Sequence, residues 1–285
     1  MLRFALLTLL LLHISVFAQE TILWEITHPT SRHTSYLLGT YHQLGNHFID
    51  SLPEVKQKLL KAELAVFESV DAPKTRSYIL ERPNDMSYQK YLPKAQVKWL
   101  EEYALETRLP LPKLTATELY FVLFQRYYQG FCENVLPEDE WKHFDSYLMY
   151  LADEHKVPSV GLESDSLQLN SIEENYGKND WKNMRKKLTH WVNAHRGKIK
   201  EEKMCEFAYQ YRSFNLDYKL DEACTEEILG KKRNDKWMAR LPHLLKDQDC
   251  FVAVGLSHLM YECGLISQLR QKGFRVKPVP LAPSS

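Results

Sequence analysis

The sequence predicts an α/β (α+β) protein with a single mixed β-sheet flanked by helices and carrying a large helical insertion. Strand-like runs lie near both ends of the 285-residue chain, and a mostly helical block lies between them. No glycine- or serine-rich linker divides the chain, which indicates one domain rather than two. We therefore expect one domain over residues 19–285, with helical insertions at about 73–156 and 165–246.

The strands of this sheet are predicted from short apolar runs rich in β-branched and aromatic residues. Six runs qualify: Ile22–Thr27, Ser35–Leu38, Leu64–Phe67, Val157–Leu162, Phe251–Val254 and Phe274–Val279. The residues His28–Ser31 are typical of the turn of a hairpin between the first two runs. The chain is thus expected to open with two strands and to close with a strand, a helix and a strand.

The helices are predicted from apolar residues at helical spacing. Five segments qualify: Leu52–Ala62, Lys94–Thr107, Thr115 to about Tyr128, Glu138–His155 and Glu262–Lys272. Pro53 stands in the first turn of the first helix, where its missing N–H costs no hydrogen bond. Thr115 and Glu118 have the spacing of a capping box. Two or three further helices are expected within residues 165–246.

The composition excludes several classes of protein. Lys and Arg number 37 and Asp and Glu also number 37, so the chain lacks the basic excess of a nucleic-acid-binding protein. Hydrophobic residues make up 44% of the chain, which is too many for a disordered protein. We expect a packed protein that binds no nucleic acid, while the oligomeric state stays open.

The first 18 residues have the pattern of a secretory signal peptide. Arg3 gives a short positive start, Leu6–Phe17 is mostly apolar, and Val16–Ala18 has the form of a cleavage site. The run is short for a membrane-spanning helix, although an uncleaved anchor is the alternative. We therefore expect an exported protein, periplasmic or secreted, with no stable membrane insertion once residues 1–18 are removed.

Export would place the cysteines in an oxidising compartment, where disulfides persist. Five cysteines follow the signal segment: Cys132, Cys205, Cys224, Cys250 and Cys263. The number is odd, so at least one is free or pairs between chains. Cys250 with Cys263, or Cys205 with Cys224, are candidate pairs between which the sequence does not choose.

Two patterns occur twice in the chain. Tyr36–His42 and Val252–His258 are each an apolar strand followed by Gly-x-x-His. Val66–Ser69 and Gly161–Ser164 each place Glu-Ser after a strand. One Gly-x-x-His alone is typical of a turn histidine, and one Glu after a strand is typical of a solvated cap. Their repetition at strand ends favours a functional site.

The chemistry of these residues suits a metal centre. In an open α/β sheet, ligands bind beyond the carboxyl ends of the strands. Two histidines and a carboxylate that meet there can bind a divalent transition metal such as Zn, Mn or Co. A second glutamate nearby can act as a general base toward water.

Other catalytic motifs are missing from the sequence. It contains no H-E-x-x-H, no G-x-S-x-G and no glycine-rich phosphate loop, which disfavours the usual zinc proteases, α/β-hydrolase esterases and nucleotide binders. His47 lies near the first motif, where it could contact substrate. His190 and His195 are five residues apart and are expected to be surface or core histidines.

The chain resembles the TraB/PrgY/GumN family, which includes the Tiki-type metalloproteases, over most of its length after residue 18. The matching pieces are Gly39-Thr40-x-His42, the strand ending in Glu68, Asp145-x-x-Leu148, Gly161-Leu162-Glu163, Arg233-Asn234, Gly255-x-x-His258-Leu259, Gly264-Leu265 and Gly273-Phe274-x-Val276. Ser164 stands where threonine is usual in the family.

The resemblance implies a fold shared with erythromycin-esterase-like and ChaN-like proteins. For Tiki-type relatives it also implies a metal-dependent peptidase, so the expected partner is a peptide or small-molecule substrate. By position, His42, His258 and Glu68 would hold a divalent metal (Mn, Co or Zn), with Glu68 as ligand or general base. Glu163 and Arg233 would support the site or bind substrate.

Two alternatives to a metal-dependent peptidase stay open at this stage. The same residues could form a non-catalytic metal- or haem-binding module, as the resemblance to ChaN-like proteins suggests. They could also be structural residues that only cap strands. All of these hypotheses require the two ends of the chain to meet in space.

Overall fold

The computed structural model describes residues 21–70, 72–164, 180–224 and 230–282, so the predicted signal segment lies outside the described residues. The fold is a mixed six-stranded sheet with helices around it, as predicted. The strands are β1 (Leu23–Thr27), β2 (Thr34–Thr40), β3 (Leu64–Phe67), β4 (Ser159–Gly161), β5 (Cys250–Gly255) and β6 (Arg275–Val279).

Twelve α-helices are found in the described residues. They are α1 (Asn46–Asp50), α2 (Pro53–Lys61), α3 (Ala72–Glu81), α4 (Ser87–Tyr91), α5 (Lys94–Thr107), α6 (Ala116–Phe131), α7 (Phe144–Glu154), α8 (Trp181–His195), α9 (Cys205–Arg212), α10 (Lys231–Trp237), α11 (Leu241–Asp247) and α12 (Leu265–Gln271). None of them is long and apolar enough to cross a membrane, a finding that covers the described residues.

The order of the strands brings the two ends of the chain together. Across the sheet the order is β4-β3-β5-β2-β1-β6, so β5, from the end of the chain, lies between β3 and β2. β2, β3, β4 and β5 run parallel to one another, while β1 is antiparallel to both of its neighbours. The carboxyl ends of the four parallel strands therefore lie at one edge of the sheet.

The sheet and the helical block each have a hydrophobic core. Every residue of β5 is buried, as expected for the central strand of a sheet covered on both faces. A second cluster of buried residues joins α4, α5, α6 and α8. A smaller cluster around the Cys132–Cys205 disulfide contacts both Tyr41, which follows β2, and Phe131 of α6. This contact links the helical block to the edge of the sheet where the four parallel strands end.

One predicted helix begins later than the sequence suggests. The prediction started it at Glu138, but α7 begins at Phe144. The Asp139 carboxylate instead accepts hydrogen bonds from the backbone N–H groups of Leu136 and His47. The N–H of Trp141 is bonded to the Asn46 side chain. These bonds tie the segment to α1, so its backbone is not available for a helix.

Two other predictions are corrected in number and pairing. Four helices, rather than two or three, begin in the described part of residues 165–246. The disulfides are Cys132–Cys205 and Cys224–Cys263, so neither pair suggested from the sequence forms. Cys250 is the free cysteine that the odd count requires, and it is buried at the start of β5.

Candidate functional site

Four predicted site residues follow four adjacent strands. Glu163 comes after β4, Glu68 after β3, His258 after β5 and His42 after β2. Because the strands are parallel, all four side chains start from the same edge of the sheet. The N–H of Glu163 donates to the carbonyl oxygen of Glu68 at 2.9 Å, which continues the β3–β4 pairing into the site.

Gly255 is the point where three of these side chains meet. A Cβ atom on Gly255 would lie 3.2 Å from Glu68 Oε1, 3.5 Å from His42 Nε2 and 3.8 Å from His258 Cδ2. The Gly255 N–H donates to Glu68 Oε1 at 2.7 Å. The missing side chain therefore opens a space that two imidazoles and one carboxylate share.

Arg233 of α10 connects the acidic residues to one of the histidines. Its Nη2 lies 2.6 Å from Glu68 Oε2 and 2.5 Å from Glu163 Oε1, and its Nη1 lies 2.9 Å from His258 Nε2. Glu163 also accepts a hydrogen bond from Trp237 Nε1 at 3.1 Å. Burial would raise the pKa of the Glu68 carboxyl, but the facing His258, His42 and Arg233 outweigh burial and lower it.

His42 is paired with a buried carboxylate on α7. Its Nδ1 lies 2.5 Å from Asp145 Oδ2, and Asp145 Oδ1 accepts a hydrogen bond from Thr40 Oγ1 at 2.7 Å. Burial alone would lower the pKa of His42, but Asp145 outweighs it and raises that pKa to about 9. Burial would raise the pKa of Asp145, but His42 lowers it to about 2. Without a metal, the pair is therefore an imidazolium and a carboxylate at neutral pH.

His258 is in a different electrostatic setting. Its side chain is 4% exposed, whereas that of His42 is 42% exposed. Its Nδ1 lies 2.7 Å from the amide oxygen of Asn234, and its ring packs against Trp237. Burial lowers the pKa of His258 to about 4, so its imidazole is neutral at physiological pH.

Sequence reasoning missed three residues of this site. His143 stacks on the His42 ring with centroids 5.3 Å apart, and Asp145 and Asn234 hold the two histidines. Asp145 and Asn234 stood inside pieces of the family resemblance, the D-x-x-L stretch and the Arg-Asn pair. These two matches to the family were the only signal in the sequence for Asp145 and Asn234. The only signal for His143 was its position two residues before Asp145.

The other histidines considered above do not join the site. His47 Nδ1 lies 2.7 Å from Asp139 Oδ2, within the contact between α1 and the segment before α7. His190 pairs with Glu201, and His195 Nε2 donates to the carbonyl oxygen of Leu123.

The fold and the site define an α/β protein with a polar centre across the carboxyl ends of four parallel strands. The sequence profile of the TraB/PrgY/gumN family matches residues 22–278, and the chain belongs to this family. No curated protein and no solved structure matches the chain.

The donor set at Gly255 fits a divalent transition metal in kind and orientation. His42 and His258 each have Nδ1 held by an acceptor, which leaves Nε2 for the centre, and metal-binding histidines have this arrangement. Glu68 adds a carboxylate oxygen. Arg233 already contacts Glu68 and His258 Nε2, so a cation and Arg233 are alternative partners of that nitrogen.

Two groups of described residues bring three ligand atoms within 4.8 Å of one another, and neither group includes His258 or Glu68. One combines His143 with His42 and Asp145. The other, made of His33, Glu63 and Asp249, lies at the opposite edge of the sheet, because each residue immediately precedes a parallel strand. There Asp249 Oδ1 accepts hydrogen bonds that fix the start of β2. We interpret this second group as structural.

Proposed function

We propose that the protein is a metal-dependent hydrolase that cleaves peptide bonds. The observation that carries this proposal is the convergence of His42 Nε2, His258 and Glu68 Oε1 around Gly255. A bound Mn, Co or Zn ion would supply Lewis-acid polarisation of a carbonyl and a lowered pKa for water. His42, His258 and Glu68 would hold it.

The remaining charged residues have roles that follow from their contacts. Asp145 accepts the Nδ1–H of His42 and so directs Nε2 toward the centre. The Glu163 side chain is 6% exposed and accepts hydrogen bonds from both Arg233 and Trp237, which fixes the guanidinium beside Glu68. A guanidinium held in this way stabilises negative charge that develops on a substrate carbonyl oxygen. Arg233 is therefore the candidate for binding substrate and stabilising its transition state.

The test begins with the metal content of protein purified without a His tag. We expect a divalent metal to be bound or to be restored after chelation. Wild-type protein is then incubated with a peptide library, beside His42→Ala and Glu68→Gln. His190→Ala is the matched control, because His190 pairs with Glu201 away from the site. Cleavage by the wild type and the control, but not by the two site variants, is the expected result.

Other outcomes separate the rival functions. Equal cleavage by all four proteins would rule out the proposed centre. Bound metal, or a Soret shift on haem titration, without any cleavage would identify a binding module instead. A protein that binds no divalent metal would rule out a metal-dependent function.

We also propose that the protein is exported, periplasmic or secreted. The signal pattern of residues 1–18 supports this, and two disulfides among the described residues are compatible with it. Mass spectrometry of the protein recovered from the export compartment tests the proposal. The expected amino-terminal residue is Gln19, and a chain that keeps Met1 in the cytoplasm would contradict export.

A further inference from the structure

Asn234 is buried next to His258 and makes three polar contacts. It lies on α10 directly after Arg233 and is 1% exposed. Its Nδ2 lies 3.1 Å from the carbonyl oxygen of His258 and 2.9 Å from that of Cys263, and its Oδ1 lies 2.7 Å from His258 Nδ1. Every polar atom of the amide therefore has a partner.

The two carbonyl groups fix the orientation of this amide. A carbonyl oxygen can only accept a hydrogen bond, so the NH₂ group must face His258 O and Cys263 O. The amide oxygen then has to face the imidazole. Since an amide oxygen can only accept, His258 must carry its proton on Nδ1.

The contact between Arg233 and His258 requires the same tautomer, independently of Asn234. A guanidinium has donors and no acceptor, so the contact of Nη1 with His258 Nε2 at 2.9 Å requires a lone pair on Nε2. Two independent hydrogen bonds thus agree that Nδ1 is protonated and Nε2 is not. The lone pair of Nε2 faces the centre where Glu68 and His42 meet.

We infer that Asn234 is the positioning residue of His258, and that it fixes the tautomer and ring orientation that make Nε2 a ligand. Asp145 makes the corresponding contact with His42, but with a charged carboxylate in place of a neutral amide. The inference rests on the proposed function, because the tautomer matters for metal binding only if His258 Nε2 is a metal ligand. The hydrogen bond itself can be tested without metal or substrate.

The surroundings of Asn234 show why an amide is needed there. An aspartate could accept from Nδ1 but could not donate to the carbonyl groups of His258 and Cys263. A leucine of similar size could do neither. Gly230, at the start of α10, leaves room for the ring, since a Cβ on it would lie 3.1 Å from His258 Nδ1.

The test is imidazole ¹⁵N–¹H NMR of the metal-free protein, with the His258 signals assigned by comparison with His258→Gln. In the wild type we expect a proton on Nδ1, hydrogen-bonded and slow to exchange, and an unprotonated Nε2. His195 is the internal control, because its Nε2 donates to the Leu123 carbonyl group and it should show the opposite tautomer. Asn234→Leu should lose the slowly exchanging Nδ1–H of His258 and leave His195 unchanged. Asn234→Asp should retain it.

The expected functional effect of Asn234→Leu is a loss of about 10- to 100-fold in metal affinity, the range seen when the hydrogen-bond partner of a metal ligand is removed. A wild-type His258 protonated on Nε2 would overturn the inference, even if Asn234→Leu failed to fold. An unchanged Nδ1–H signal in Asn234→Leu would also overturn it. If the tautomer is as expected but no metal binds, the proposed function fails while the positioning contact stands.

Discussion

Arg233 gives the site a positive charge of its own. It contacts Glu68 and His258, two of the three side chains proposed to hold the metal, and it also contacts Glu163. In a buried setting, a nearby positive charge disfavours a second one. Arg233 should therefore weaken the binding of the proposed metal, because the two compete for Glu68 and for His258 Nε2.

Arg233→Met should bind Co²⁺ or Zn²⁺ at least about tenfold more tightly than the wild type, because it removes both the charge and the donor on His258 Nε2. The same variant should lose peptide cleavage, since the guanidinium no longer stabilises the carbonyl oxygen. Isothermal titration calorimetry measures the affinity. Arg82→Met is the matched control, because Arg82 pairs with Glu118 in the helical block. Weaker binding by Arg233→Met would show that Arg233 supports the metal.

The His42–Asp145 pair should make the stability of the metal-free protein depend on pH. The pKa of His42 rises from 6.5 to about 9 on folding, so the pair stabilises the fold fully below pH 6.5 and loses that effect as the pH rises to about 9. Asp145→Asn removes the charge that raises this pKa, so its free energy of unfolding should fall less between pH 6.5 and 9. Urea unfolding followed by tryptophan fluorescence in EDTA measures both proteins.

The contribution of His258 to stability has the opposite dependence on pH. Its pKa falls from 6.5 to about 4 on folding, so it contributes stability that grows as the pH rises from 4 to 6.5. This His258 contribution changes only below pH 6.5, so it does not contribute to the decline that the His42–Asp145 pair predicts above pH 6.5. A decline above pH 6.5 that is identical in both proteins would mean that Asp145 does not control His42.

The sequence allowed prediction of the site residues that follow strands, because a motif ties each of them to a strand end. Asp145 and Asn234 lie on α7 and α10, and they reach the site only through the packing of these helices at the sheet edge. No local pattern records that packing, so their roles could not be derived from spacing. His143 reaches His42 in the same way, from the residue before α7.

At the scale of elements, the two Gly-x-x-His motifs have glycines with different purposes. A Cβ on Gly39 would lie 2.7 Å from Leu256 Cδ1 and 3.3 Å from Leu256 Cα, so this glycine allows β2 to pack against the turn that carries His258. A Cβ on Gly255 would meet Glu68 and His42 instead. The first glycine serves packing, and the second leaves the centre open.

Alanine substitutions should separate these two purposes. Gly39→Ala should destabilise the fold by about 1–3 kcal/mol, the usual cost of overpacking a core. Gly255→Ala should cost less stability but lower metal affinity and cleavage by on the order of 10- to 100-fold, because its Cβ crowds Glu68 Oε1 at 3.2 Å and fills the space beside His42 Nε2. Thermal unfolding and metal titration of each variant measure the two effects. If Gly255→Ala binds metal like the wild type, the centre lies elsewhere.

The elements themselves were predicted with unequal success for physical reasons. β3 and α5 have the predicted bounds. β3 is an apolar run between Glu63 and Glu68, and α5 begins after Pro93 and ends before Arg108, which has a positive φ. α7 begins later than predicted because the Asp139 carboxylate bonds the preceding segment to α1. The short α1 lacks enough residues to show helical spacing. Long-range side-chain bonds of this kind override a local pattern.

At the scale of the whole molecule, the two disulfides join parts that are far apart in the chain. Cys132–Cys205 spans 73 residues and links α6 to α9, while Cys224–Cys263 spans 39 residues and lies beside the contact between Asn234 and the Cys263 carbonyl group. The first stabilises the helical block. The second also supports the His258 side of the site.

Replacing either pair by serines should lower the free energy of unfolding by about 2–4 kcal/mol. Cys224→Ser/Cys263→Ser should weaken metal binding more than Cys132→Ser/Cys205→Ser does. The Cys263 carbonyl group binds Asn234 directly, whereas the Cys132–Cys205 disulfide reaches the edge of the sheet that carries the site only through Tyr41. Cys132→Ser/Cys205→Ser is the matched control. Chemical denaturation and metal titration at a temperature where both variants are folded measure these effects. An equal loss of metal affinity in both variants would indicate a general loosening of the fold.

The central position of β5 determines when the site can assemble during synthesis of the chain. β2 and β3 leave the ribosome early, but they are not neighbours, and β5 must insert between them to link them. Until then Gly255 and His258 are absent, and His42 and Glu68 have no common partner. An unfinished or carboxyl-terminally truncated polypeptide thus has no assembled centre. The order of synthesis therefore delays assembly of the proposed centre until β5 is complete.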